Sequence, residues 1–245
     1  KEIKRKRNER RDYSLIFNVK EEEVALSQEE WLNNPEKFKA LTRSIDLGSL
    51  TSADGLVLPQ YVGGHIYLGH LTNADGLVLP QHVGGHIYLD YLTNVDGLVL
   101  PQYIGGDLFL RSLESAKGLI FPQHVGGLIY LSSLTSAEGL VLPQHIGGGI
   151  DLGSLTSAEG LVLPQHVGGV INLRSLTSAE GLVLPQHVGD FIYLGSLTSA
   201  DGLVLPHYFD LNKLECPYNI KEEIMNNPDK YYMAPTEDDK KEIKR

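Results

Sequence analysis

GLVLPQHVGGHIYLDYLTNVD, residues 76–96, decides the fold, because everything from Ile45 to Phe209 is that stretch written again. Its opening Gly-Leu recurs at 55, 76, 97, 118, 139, 160, 181 and 202, every 21 residues without an insertion or deletion. Each copy must then form one coil of a solenoid, since a looped-out residue would shift every side chain after it. Counting from the glycine of each copy, apolar residues recur at positions 2, 4, 8, 12, 14, 17 and 20, as in Leu77, Leu79, Val83, Ile87, Leu89, Leu92 and Val95. Two short runs, Leu-Val-Leu and Ile-x-Leu, alternate with period two and lie too close to Gly and Pro for helix, which predicts two strands per coil. Like strands stacked in parallel about 4.8 Å apart would make a rod of roughly 40 Å, and crossovers between parallel strands are right-handed. The expectation is a mainly β protein, a right-handed parallel β-solenoid of about eight 21-residue coils with short α-helical caps at both ends.

The corners are legible too. The pair Gly84-Gly85 and its equivalents supply backbone room that a Cβ would deny, and Pro80 stops a strand by removing a donor. The small residue at position 20 suits a tight inside corner, and the Thr-Ser or Thr-Asn rows, such as Thr72-Asn73, can bond turn backbone.

Three parts are expected: a basic N-terminal segment and helical cap over 1–44, the array over 45–209, and a helical cap with a charged tail over 210–245. In the first part, DYSLIFNV has strand composition. Ser27 and Glu30 then have capping-box spacing, Asn34-Pro35 can start a second helix, and Trp31, Phe38 and Leu41 could cover the open first coil. EEIMNNPDKYYMA from Glu222 repeats EEWLNNPEKFKAL from Glu29, so the two caps read as copies of one another. KEIKR stands at both ends of the chain; it points to a module of a longer protein that repeats it, or to coincidence in five residues rich in Lys.

The Ile-x-Leu-x-x-Leu run, with Leu-Pro later in each coil, resembles the leucine-rich-repeat group. The Val-Gly-Gly-x-Ile-x-Leu phrase is similar to receptor L-domain-type β-solenoids of the bacterial kind. One departure matters: where a leucine-rich repeat places its Asn ladder, this chain has Leu71, Leu92 and Leu113, which argues for a straighter rod than that family's horseshoe. The resemblance implies binding rather than catalysis, through a ladder of strand residues presented to a partner.

Composition narrows the partner. The formal charge is −10, and residues 55–201 hold eleven acids against three bases, so the array is a poor surface for nucleic acid. Residues 1–12 carry seven bases and three acids, the pattern of a solvated segment, with a nucleic-acid or membrane arm as the minority reading. No apolar run is long enough to cross a membrane. A lone Cys216 and the lack of a visible signal peptide favour a cytoplasmic setting. There is no recurring Ser/His/Asp spacing, no phosphate loop and no Cys-His pair, and Asp90, Asp107 and Asp151 form no evident cluster, so no enzyme activity and no cofactor are expected.

Candidate binding residues come from the positions that vary between copies. Position 13 reads Tyr67, Tyr88, Phe109, Tyr130, Asp151, Asn172 and Tyr193, and position 11 begins His65, His86 and Asp107. Positions 15 and 16 add His70, Asp90, Tyr91, Arg111 and Arg174. These residues are expected on one face, and the strip of His65, Tyr67, His86, Tyr88, Tyr91, Asp107, Phe109, Arg111 and Tyr130 is the candidate contact surface for a protein partner. Tyr kept only for strand packing is the competing reading, with a structural spacer in a longer protein as the functional rival. Position 3 (Val57, Val78, Val99, Ile120, Val141) should point outward and could form a packing face for self-association or for another module. A second ladder, His82, His124, His145, His166 and His187, shares its slot with Tyr61 and Tyr103; Tyr replaces a stacked ring better than a metal ligand, so no metal site is expected. A flat ice-binding or carbohydrate-binding surface is a remote alternative, since the Thr row lies at a corner and is broken by Glu114.

Overall fold

The computed structural model describes residues 44–234 apart from Gly55, Val57 and Tyr208. The expected N-terminal strand and helical cap, and Val57 of the packing face, lie outside the described residues. What is described is a parallel β-solenoid. Among these residues, nine two-residue strands stack into one sheet, from Ile45–Asp46 and Ile66–Tyr67 through Ile192–Tyr193 to Leu214–Glu215. Seven more, from Tyr61–Val62 to His187–Val188, form a second sheet on another side of each coil. Every pair within the array is parallel and offset by one repeat, with Ile66 on Ile87, Ile87 on Leu108 and His145 on His166.

One strand forms where the periodicity placed it and one does not. Ile-Tyr at positions 12 and 13 is a strand; the other is His-Val at positions 7 and 8, not Leu-Val-Leu. The alternation in the Leu-Val-Leu run is real, with Leu77 and Leu79 buried and Val78 at 71% exposure. Its backbone cannot carry a ladder. The Leu77 N–H is spent on the Ala74 carbonyl in a turn, and Pro80 has no N–H to give. Among the described residues the run pairs only in the last coils, through Val183 and Val204.

Three corners close each coil. The turn at Ala74-Asp75-Gly76-Leu77 puts glycine at φ +73°, and all seven equivalents from Gly76 to Gly202 are positive, as a type II turn requires at its third residue. Before that turn, the Asn or Ser at position 19 accepts the N–H two residues on, as Asn73 does from Asp75 and Ser136 from Glu138. A second turn runs from Leu89 to Leu92. The third is the Gly-Gly corner, where successive coils nearly touch: a Cβ on Gly84 would lie 2.5 Å from the Gly63 carbonyl oxygen, and one on Gly85 2.6 Å from that of Gly64. Asp190 takes the second glycine's slot in the last full coil, and there the coil-to-coil bond stretches to 3.3 Å from Gly169, against 3.0 Å between Gly85 and Gly64.

The core is a set of columns. Positions 12, 14 and 17 stack Ile87, Leu89 and Leu92 on their counterparts at essentially zero exposure, and Ala or Val fills the inside corner. No buried polar or charged side chain is found among the described residues. The Leu in the slot where a leucine-rich repeat has its Asn ladder is thus a core residue, whose side chain cannot hydrogen-bond the turn.

The C-terminal end is closed by helix α1 (Tyr218–Asn226) and a single turn, α2 (Pro228–Tyr231). Ile220, Ile224 and Tyr231 join the core, and Leu205 is clasped between Tyr231 and Met233 by two backbone hydrogen bonds. Lys213 reaches back from the short helix Leu211–Lys213 and donates to the carbonyls of Val188 and Gly189, capping the exposed edge of the second sheet. Lys230 bridges Asp201 and Glu223, which raises its pKa.

The closeness of the Gly-Gly corner can be tested directly. Gly84→Ala should lower stability by about 1–3 kcal/mol in urea melts, as overpacking does, whereas Thr135→Ala at an exposed corner position should stay within about 0.5 kcal/mol. Equal effects would mean that the coils are not in backbone contact there.

Candidate functional site

The position-13 strand residues stand one above another, and their rings stack. Tyr67 and Tyr88 lie 4.6 Å apart by centroid, Tyr88 and Phe109 4.4 Å, and Phe109 and Tyr130 4.6 Å, all within 11° of parallel. Strand spacing dictates this, since rings on neighbouring parallel strands can share a plane normal only at about that separation. The ladder ends where Asp151 replaces the ring: its carboxylate accepts from Ser132, Asn172 and the Gly153 N–H. Because each ring covers its neighbour's face, the strip offers ring edges and hydroxyl groups. A sugar, which needs an open ring face, is poorly served by the inner members.

Arg111 crosses the strip. Its guanidinium lies 4.4 Å over the Phe109 ring and 4.6 Å from that of Tyr130 while pairing with Asp90 on the preceding coil. Phe109 is consequently buried, at 7% exposure, and supports the surface instead of forming it. On the open side of Arg111 lies a groove of about 700 Å³ lined by Asp46, Tyr67, His70, Tyr88, Asp90, Tyr91 and Arg111. The His70 and Tyr91 rings meet at 5.4 Å, and Tyr91 is 54% exposed. Burial, then the neighbouring Tyr67 and Asp107, push the Tyr88 phenol up, so it remains protonated and able to donate.

Of the strip residues expected from the sequence, Tyr67, Tyr88, Tyr91 and Arg111 meet in this groove, and Tyr130 continues the stack beyond it. Asp46 was missed. It occupies position 13 of a partial coil before the first complete copy, paired with Tyr67, and carrying the repeat frame back by 21 residues would have found it. A smaller recess of about 510 Å³ lies at the other end of the same face, between Arg174, Tyr193, Glu215 and Cys216. Burial raises the Cys216 thiol.

Position 11 does something else. The His86 N–H donates to His65 Nδ1 at 2.9 Å, the Asp107 N–H to His86 Nδ1 at 2.7 Å, and the Leu128 N–H to an Asp107 carboxylate oxygen at 2.7 Å. These side chains bond the backbone of the next coil. A backbone N–H can only donate, so each ring nitrogen there is an unprotonated acceptor, and the 3.5 Å approach of Asp107 to His86 is not an ion pair while the ring is neutral. The His65 and His86 rings also stack at 4.5 Å. His65, His86 and Asp107 therefore brace the strip's border, with the Nδ1 atoms of both histidines and one Asp107 carboxylate oxygen committed to the next coil's backbone.

The position-7 ladder stacks as well, with Tyr61 on His82 at 4.5 Å, His82 on Tyr103 at 4.3 Å and His166 on His187 at 4.7 Å. Among the described residues, no three His, Cys, Asp or Glu side chains converge where they could hold a metal ion. No helix there is long and apolar enough to cross a membrane.

The histidine ladder carries a pH prediction. Burial, and then the charge of His86, lower the pKa of His65, and burial lowers that of His82. A histidine whose folded pKa lies below its unfolded value stabilises the fold fully above about pH 6.5, and that contribution is lost as the pH falls through and below it. Denaturation midpoints should therefore drop between pH 7.5 and 5. His65→Asn, whose side-chain oxygen can accept the His86 N–H as the Asp107 carboxylate accepts that of Leu128, should reduce the drop; an unchanged pH profile would contradict the ladder. No family model matches the chain, and no curated protein or solved structure is significantly similar to it, so the β-solenoid is shown by its geometry while membership of the leucine-rich-repeat or receptor L-domain groups is not.

Proposed function

We propose that the chain is a non-catalytic recognition module that binds a protein partner through the aromatic groove on its N-terminal coils. The observation that carries this reading is the meeting of exposed Tyr91, the edges of Tyr67 and Tyr88, and the Asp90–Arg111 pair in one recess. Tyrosine and arginine are enriched among interface hot spots, Tyr because it buries much area for little entropy and keeps a hydrogen-bonding tip, Arg because its planar fork offers five donors. A stacked, Arg-clamped ladder also holds these groups in place before a partner arrives, which lowers the ordering cost. The acidic array favours a partner with a basic or neutral contact surface over nucleic acid.

The rival is a structural spacer. Its support is the C-terminal half of the array, where Asp151 and Asn172 break the ring row at position 13 and positions 15 and 16 are mostly Gly or Ser.

The two readings separate on one experiment. The intact chain and a Tyr67→Ser/Tyr88→Ser/Tyr91→Ser variant, both shown folded by circular dichroism, are used to capture proteins from the source organism, and each captured protein is purified and titrated against both. Recognition predicts a partner whose affinity falls at least about a hundredfold in the variant, the scale of losing a hot spot. Equal affinity for both forms would leave the face without a role and favour the spacer.

A further inference from the structure

Half a circuit of the coil from the aromatic strip runs a rib that the strip does not explain. Val78, Val99, Ile120, Val141, Val162 and Val183 stand exposed at 71, 74, 81, 71, 75 and 51%. A β-branched residue repeated on a sheet surface is ordinarily accounted for by strand packing. That account fails here, because these residues belong to no hydrogen-bonded strand, and only Val183 makes even an isolated bridge. Drift also fails, because positions 11, 13, 15 and 16 change freely between copies while position 3 stays Val or Ile in all eight. An apolar side chain held in water on six successive coils has its use outside the molecule.

The rest of this face agrees. Positions 1 to 10 contain no Asp, Glu, Lys or Arg in any copy apart from Asp190 and, at the very end of the array, Asp210, in a chain whose formal charge is −10. Leu58, Phe121 and Leu142 are only partly buried beneath the rib. Between two coils the surface sinks into a groove of about 700 Å³ lined by Val141, Pro143, Gln144, Val162, Pro164 and Gln165, so ridge and recess alternate along one axis.

We propose that this rib is the interface with a second copy of the same chain, the two solenoids lying side by side with valine row against valine row. Three arguments select a second copy. Ribs that repeat at about 4.8 Å are complementary to themselves, since a shift of half a coil sets each row into the other's gaps, as in dry interfaces between paired sheets. Two chains of like charge repel over most of their surface, and the uncharged face is where they can approach without bringing carboxylates together. The size suffices: about eight coils of about 4.8 Å, with some six extended residues across, present on the order of 800 Å², the share of each partner in a stable interface. Pairing here leaves both aromatic grooves facing outward, so the dimer would be bivalent for whatever the groove takes.

The test is the mass of the full chain in solution. Sedimentation equilibrium across a hundredfold range of concentration should give about twice the 27.0 kDa of one chain at the upper end. Val99→Glu/Ile120→Glu/Val141→Glu, which changes only exposed positions, should weaken association at least tenfold with an unchanged circular dichroism spectrum. Tyr67→Ser/Tyr88→Ser/Tyr91→Ser should dimerise as the wild type does. Added salt should tighten the dimer, because it screens repulsion and strengthens apolar burial. Should the glutamate variant fail to fold, Ile120→Cys in a Cys216→Ser background provides a second readout, since a short bifunctional thiol reagent should join two chains at residue 120. A wild-type mass of one chain throughout, a glutamate variant that associates as strongly as wild type, or no cross-linking at residue 120 would each overturn the interface.

Discussion

Everything in this molecule depends on the backbones of successive coils lying in contact at the Gly-Gly corner. Where Gly84 sits on Gly63 there is no space for a single carbon atom. That contact forces each coil to repeat its predecessor's path, and identical paths bring like residues into vertical register, Ile87 over Ile66 and Tyr88 over Tyr67. The apolar columns, the ring ladders and the exposed valine rib are one phenomenon seen at different positions of the coil. It also explains why the array carries no insertion, since a bulge would part the coils at a corner where their backbones touch and hydrogen-bond.

Much of this was legible beforehand, and the boundary between what was and was not has physical causes. The apolar columns could be read because burial imposes a strict pattern, and the outward aim of Val78 followed from the leucines on either side of it. The choice of strand could not, because side-chain alternation reports which way a residue points, whereas a ladder needs free N–H groups, which a turn and a proline had removed from Leu-Val-Leu. The candidate site was legible as a list of variable positions but not as a division of labour. That Phe109 would be roofed by Arg111, and that His65 and His86 would serve the next coil's amides, depends on rotamers, which no spacing encodes. Asp46 was hidden for a plainer reason: the first glycine of the repeat frame lies after it.

The coil divides its circumference between two kinds of surface. One side varies from copy to copy and gathers charge, rings and a recess; the other keeps Val or Ile at position 3 throughout and carries almost no charged residue. A molecule with a strongly negative formal charge gains from this arrangement, because contact through one side need not compromise the other. The stacked rings have a double character. They stabilise neighbouring coils through face-to-face contact, and by the same contact they withdraw their faces, leaving edges and hydroxyl groups outward.

The way the C-terminal end is closed bears on how such a chain can change. Lys213 holds the carbonyls of Val188 and Gly189, and Leu205 is clasped by Tyr231 and Met233. Every one of those array positions recurs in each earlier coil, so the plug recognises a generic end and is blind to how many coils precede it. Loss or duplication of a whole repeat unit in the gene would shorten or lengthen the rod in steps of about 4.8 Å and hand the plug an equivalent seat each time. Length is then a quantity that evolution can adjust by copying alone, with the fold already in place to receive it.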